Sequence, residues 1–233
     1  MEAARGKYER AVCLGDLVGY GPDPNAVIDP VRELAEATIR GNHDKACCGI
    51  SDAEDFNPLA RAATLWTRQQ LTSDHLTFLR ELPQGPAYVN SFEIVHGAPA
   101  DEDEYIVGPD SALPALKDLT TPVVFFGHTH LQGGVVLTAA GSFQQIFGDL
   151  FESSPGGTAM CTVKLETGAR YLINPGSVGQ PRDGDWRAAF AILDEAVGAV
   201  EYYRTPYDLE KTQEKMRRAG LPEPLIRRLE FGR

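Results

Sequence analysis

Five histidines occur in the chain, His43, His75, His96, His128 and His130, and four of them share one setting. His43 stands in Gly41-Asn42-His43-Asp44, His96 in His96-Gly97, and the last two in Gly127-His128-Thr129-His130. Each of these four follows a run that reads as a strand, as does Asp16 in Gly15-Asp16. Ligands in open α/β sheets bind at the carboxyl ends of strands, so these residues belong to one candidate site. The carboxylate of Asp16 can bridge two cations. Asn42 offers a neutral carbonyl oxygen that, mixed with imidazole, suits manganese, iron or zinc. The His128-Thr129-His130 turn aims two imidazoles at one region and Thr129 elsewhere. His43 need not be a ligand. An imidazole held by a carboxylate such as Asp44 is oriented and kept basic, ready to give a proton to a leaving oxygen. His75 falls in the first turn of a predicted helix and is assigned a structural role.

The elements that must position these residues follow from periodicity. Residues 10–15 read as a buried strand feeding a loop. Residues 25–37 carry helical periodicity, disturbed by Pro30, and 37–40 form a short strand. Residues 58–71 and 73–82 read as helices, the second capped by Ser73. Strands follow at 87–90 and 92–96, then the acidic stretch Asp101, Glu102, Asp103, Glu104, read as a solvated loop. After a helix at 111–119, the fully apolar strand 122–126 runs directly into Gly127. Strands are then predicted at 135–138, 160–165, 169–173, 188–193 and 199–204. The tail from Tyr207 holds two short helices around Gly220-Leu221-Pro222. Parallel α/β units therefore merge into an antiparallel half. No linker or repeat interrupts the chain, so residues 1–233 form a single domain.

Composition narrows the function. A net charge of −11 excludes a general nucleic-acid groove, which needs Lys and Arg against phosphates. It does not exclude a phosphate substrate, because bound cations reverse the local field. No apolar run approaches the ~20 residues of a membrane span, and residues 1–5 carry no signal-peptide pattern, so a cytoplasmic protein is expected. Four cysteines without a Cys-x-x-Cys pattern read as buried thiols. Arg182, close to Asp183 and Asp185, can grip a phosphate oxygen as a planar fork or form a surface ion pair.

In order and spacing, Gly15-Asp16, Gly41-Asn42-His43-Asp44, His96-Gly97 and Gly127-His128-Thr129-His130 resemble blocks two to five of the calcineurin-like metallophosphoesterases. The segment from Asn174 to Arg182 resembles the late loop of the family's small bacterial, phosphodiesterase-like branch. The resemblance implies an α/β fold of two packed mixed β-sheets flanked by helices, an α-β-β-α sandwich. It implies a metal-dependent phosphoesterase acting on a small-molecule phosphoester, a diester or a nucleotide, with the oligomeric state left open. By it, Asp16 bridges two divalent cations (Mn, Fe or Zn). Asn42, His96 and His128 complete one metal site and His130 serves the other. His43, oriented by Asp44, is the proton donor or transition-state stabiliser, and Arg182 contacts substrate. A metal-bound hydroxide attacks phosphorus in line, with the cations ~3.5–4 Å apart. The alternative is a catalytically impaired relative or fragment that binds one metal or a nucleotide as a regulatory module.

One block of the family pattern has no counterpart: no Asp-x-His occurs in the chain. Residues 1–5 are good helix formers and Gly6 stands where a helix C-cap would. They read as the last turn of a crossover helix. The expectation is an N-terminally truncated domain, its first strand and most of its first helix missing, on the order of 25–30 residues. One metal site then keeps Asp16, Asn42, His96 and His128, and the other only Asp16 and His130. That ligand count predicts a chain that holds a single cation, turns over poorly and unfolds readily.

Overall fold

The computed structural model describes residues 2–146, 151–152 and 157–233. A 3-10 turn at Glu2–Ala4 leads to Gly6 in the left-handed region at φ 74°, as the helix formers and glycine predict. The elements that follow are β1 (Ala11–Cys13), α1 (Pro24–Leu34), β2 (Ala35–Thr38), α2 (Asn42–Cys48), α3 (Pro58–Gln70), α4 (Ser73–Glu81), β3 (Ala87–Val89), β4 (Phe92–Val95) and α5 (Pro109–Asp118). Then come β5 (Val123–Phe126), β6 (Gly133–Leu137), β7 (Phe143–Ile146), β8 (Phe151–Glu152), β9 (Ala159–Lys164), β10 (Arg170–Asn174), β11 (Ala188–Asp194), β12 (Ala199–Thr205), α6 (Leu209–Arg218) and α7 (Glu223–Arg227). A 3-10 turn, Arg228–Phe231, closes the chain.

Three sheets result. A six-stranded mixed sheet has the order β3-β4-β5-β10-β6-β7, with β4, β5 and β10 parallel and the rest antiparallel. A four-stranded sheet, β11-β12-β9-β8, is antiparallel throughout. Strands β1 and β2 form a separate parallel pair. The two large sheets face each other across one core, in which Ile94, Phe125 and Ile173 meet Cys161, Val200 and Tyr202. On the other face of the six-stranded sheet, Ala112 and Leu116 of α5 pack against Val124, Phe126 and Leu172. That double covering is why β4 and β5 are buried at every position, and why β5 reads as an unbroken apolar run and β4 as one broken only by the buried Glu93. Burying a side chain such as Leu172 completely contributes about 1.5–3 kcal/mol. The expected two packed sheets with flanking helices are present, although one of them is wholly antiparallel.

Local departures from the sequence reading have simple causes. Helix α1 runs through Pro30 to Leu34 and passes directly into β2 at Ala35, two residues earlier than the apolar pattern indicates. The N-cap of α4 is Thr72, not Ser73: its hydroxyl accepts the backbone N–H of His75 at 3.2 Å. Helix α2 has no capping side chain to mark it in the sequence, because its N-cap is Gly41. Its start is fixed instead by Asp44, the third helical residue, which reaches back to the Gly41 N–H at 2.9 Å.

Candidate functional site

The loops that end β1, β2, β4 and β5 converge on one point. Gly41 permits the convergence, since a Cβ there would lie 2.1 Å from Oδ1 of Asp16 and 2.7 Å from Cε1 of His96. Asp44 then ties the loops together. Its carboxylate accepts the backbone N–H groups of Asp16 (2.7 Å), Gly41 (2.9 Å) and Val18 (3.2 Å). Asp16 is oriented in turn: Oδ1 accepts the His43 N–H at 2.9 Å and Oδ2 the Tyr20 hydroxyl at 2.7 Å.

The hydrogen bonds decide which imidazole atoms face inward. Nδ1 of His96 lies 2.7 Å from the carbonyl of Leu14, and a carbonyl only accepts, so Nδ1 carries the proton and Nε2 presents a lone pair. That lone pair meets Oδ1 of Asn42 at 3.2 Å, Nδ1 of His128 at 3.2 Å and Oδ1 of Asp16 at 3.5 Å. His130 follows the same rule. Its Nδ1 donates to the carbonyl of Gln180 at 2.7 Å, so Nε2 turns a lone pair toward Oδ2 of Asp16 at 3.7 Å. The lone pairs of His96 and His130, the Asn42 carbonyl oxygen and the Asp16 carboxylate are thus acceptors turned toward one buried pocket, an arrangement that repels itself until a cation sits among them. Asp16, His96 and His128 each bring a ligand atom within 4.8 Å of the others. This donor set, oxygen mixed with imidazole nitrogen, fits a divalent transition metal.

The backbone is strained at the same residues. Asp16, His128 and His130 have φ of 56°, 58° and 61°, a left-handed conformation that costs a side-chain-bearing residue about 1–2 kcal/mol. Asn174, at the end of β10, holds the histidine turn in place. Its Nδ2 donates to the carbonyl of Gly127 (2.8 Å) and to the hydroxyl of Thr129 (2.9 Å), which turns Thr129 away from the site.

Burial alone would raise the Asp16 carboxyl. The imidazoles gathered around it, His96 first and then His130 and His43, outweigh burial and hold the group well below the usual carboxylate range. Burial pushes His43 and His128 down to about 4, so both are neutral at pH 7. Burial and then the Asp16 charge raise Asp44 to about 7, against the pull of its backbone donors.

All the expected metal-site residues, Asp16, Asn42, His96, His128 and His130, are therefore gathered here, with His43 alongside. The expected link between Asp44 and the His43 ring is replaced by another. Asp44 is taken up by backbone N–H groups, and Nδ1 of His43 is buried without a partner. The ring of His43 is set by stacking, 4.0 Å from Tyr20 and 4.6 Å from Phe56. Tyr105 lies 3.8 Å from the ring of His128. Tyr20 had a signal in its sequence, three residues past Leu17 in the same glycine-rich loop as Asp16; Tyr105 had none.

The acidic stretch is not a free solvated loop. Glu102 takes Arg40 (3.0 Å) and Lys45 (2.9 Å), and Asp103 takes Lys45 as well, which fastens the Tyr105 loop to α2. Arg182 forms no ion pair among the described residues, since Asp183 pairs with Arg204 and Asp185 with Arg187. Its guanidinium lies 5.9 Å from the Tyr20 ring and its Nε is buried without an acceptor. His75 is structural, held by Asn25 (2.7 Å) and Asp29 (2.8 Å), and none of the four cysteines forms a disulfide.

Comparison with known proteins agrees with this geometry. The family model for calcineurin-like phosphoesterases matches residues 2–132. An uncharacterized protein of Methanocaldococcus jannaschii is 33% identical over 237 residues, covering 97% of this chain and 87% of that protein. The crystal structure of a metallophosphoesterase from Sphaerobacter thermophilus superposes with a TM-score of 0.79 at 36% identity, covering 100% of this chain and 91% of that one. A hypothetical protein from Pyrococcus horikoshii shares the fold, with a TM-score of 0.75 at 19% identity and coverage of 100% and 90%. The matched segment contains every residue of the acceptor cluster, and the chain belongs to the calcineurin-like phosphoesterase family, whose chemistry is metal-dependent hydrolysis of phosphoesters.

Proposed function

We propose that the protein hydrolyses a small-molecule phosphodiester or nucleotide in the cytoplasm, using manganese, iron or zinc. The observation that carries this reading is the convergence of metal-ligating oxygen and nitrogen atoms from Asp16, Asn42, His96 and His128. A bound cation supplies positive charge to the phosphoryl oxygens and makes water a better nucleophile. The chain's own residues do the rest. Asp16, Asn42, His96 and His128 would hold one cation, and His130 with Asp16 would serve a second. Arg182 takes a phosphoryl oxygen as a planar donor fork. His43 protonates the leaving oxygen through Nε2, the nitrogen turned away from Gly19. It is neutral alone and takes up a proton as the negative phosphoester enters beside it. The net charge of −11 disfavours nucleic acid as a general partner, and no helix among the described residues is long and apolar enough to cross a membrane.

The test is hydrolysis of bis(p-nitrophenyl) phosphate. Turnover should require Mn²⁺ or a similar cation and disappear on chelation. Full activity in protein shown to be free of metal overturns the reading. A second reading, a module that binds a single cation without turnover, is favoured by Tyr20, whose hydroxyl occupies the Asp16 oxygen that faces His130. It predicts metal binding with no hydrolysis of any phosphoester.

A further inference from the structure

Three tyrosine and phenylalanine rings touch the site histidines, and one of them differs from the others. Tyr20 and Phe56 are half-buried, and both pack against the ring of His43. Tyr105 rests on His128 instead, with ring centroids 3.8 Å apart, and remains 48% exposed. Among the described residues its ring meets no other ring, and its hydroxyl makes no hydrogen bond.

The loop that carries this exposed ring is firmly held. Glu102 takes Arg40 at 3.0 Å and Lys45 at 2.9 Å, and Asp103 takes Lys45 as well. Ala98 and Asp101 exchange backbone hydrogen bonds at 2.9 and 3.2 Å, and the Glu104 N–H donates to the Asp101 carbonyl at 3.2 Å. Gly97 lets the loop lie against the end of β4, since a Cβ there would stand 2.6 Å from the carbonyl oxygens of both Glu102 and Glu104. On the other side of Tyr105, Ile106 is buried in the cluster beneath α5. A ring with only two side-chain torsions, on a loop already fixed, loses little freedom when a ligand covers it.

His128 belongs to the metal-ligating cluster, so a phosphoester drawn to a cation there lies beside the Tyr105 ring. The surroundings select what the rest of that ester can be. Asp101 and Glu104 are exposed and have no cationic partner among the described residues. Such carboxylates repel a further phosphate, which leaves a neutral flat group as the one that fits. A nucleobase is such a group, and stacking on an aromatic side chain accepts any base because each has a π-face.

We propose that Tyr105 is the platform on which the base of a nucleotide substrate stacks, so that the protein prefers nucleoside phosphoesters to the same esters without a base. This rests on the phosphoesterase reading of the site and names its substrate class.

Calorimetry on the Mn²⁺-loaded protein, with free Mn²⁺ held equal in both solutions, tests it with two phosphonates that cannot be hydrolysed. One is adenosine 5′-monophosphate with a CH₂ group in place of the ester oxygen; the other is the matching ribose compound without the base. The adenosine compound should bind roughly five- to a hundredfold more tightly, the span of one stacked base. Tyr105→Leu keeps apolar bulk but has no π-face, and should remove most of that preference while the ribose compound binds as before. Tyr105→Phe should keep the preference, which guards against a folding defect at this position. A preference that survives in the leucine variant, or is missing from the wild type, overturns the platform. Equal losses for both compounds also overturn it, because the ring then serves only to set His128. Each of these outcomes leaves the phosphoesterase reading standing. If neither compound binds the wild-type protein, that reading fails and the platform with it.

Discussion

The carboxylate of Asp44 accepts the backbone N–H of Asp16 at 2.7 Å, so one aspartate aims the other. Asp44 also holds Val18 and Gly41, and it is wholly buried. Asp44→Ala should leave three buried N–H groups unpaired. At ~1–3 kcal/mol each, the loss should reach about 3 kcal/mol or more by denaturant titration, with metal content falling alongside. Asp44→Asn, which can still accept, should lose less. An alanine variant as stable as the wild type would mean that these bonds do not hold the loops.

The histidines should separate by role. His96→Ala and His128→Ala should lower bound metal, measured by elemental analysis of purified protein. His43→Ala should keep metal near the wild-type level and lose roughly 10²–10⁴ in rate, the usual range for a proton-transfer group. An empty site in the His43 variant would reassign that residue to the ligands.

Glu102 gives a pH signature away from the metal cluster. Burial tends to raise its carboxyl, but hydrogen bonds from Arg40 and Lys45 outweigh it and lower the group. A carboxylate depressed in the folded state adds stability above its unfolded pKa, about 4.3, and loses it as pH falls through the folded value. Glu102→Gln should therefore cost about 1–2 kcal/mol at pH 7, between an exposed pair and a buried charged hydrogen bond. The gap between variant and wild type should close below roughly pH 4. A gap that persists unchanged in acid would show that packing, not charge, holds the loop.

The cap of α4 is checked with two substitutions. Thr72→Ala should destabilise by about 1 kcal/mol, whereas Ser73→Ala should stay within about 0.5 kcal/mol. The reverse order in thermal melts would return the cap to Ser73.

The sequence by itself determined the residues that bear chemistry and the strand ends that carry them. Residues 122–126 are apolar at every step, and 92–95 are apolar but for the buried Glu93, because both faces of β4 and β5 are covered; each run stops at a histidine or glycine. Residue type and strand end are local properties, so they could be read in order along the chain. Which nitrogen of His96 faces Asp16 could not be read, because the Leu14 carbonyl that decides it comes from another strand. The contact of Tyr105 with His128 and the fastening of Asp103 to Lys45 are likewise absent from any local pattern. They arise only when the packed elements bring distant segments together, and no period of 2 or 3.6 residues encodes such a contact.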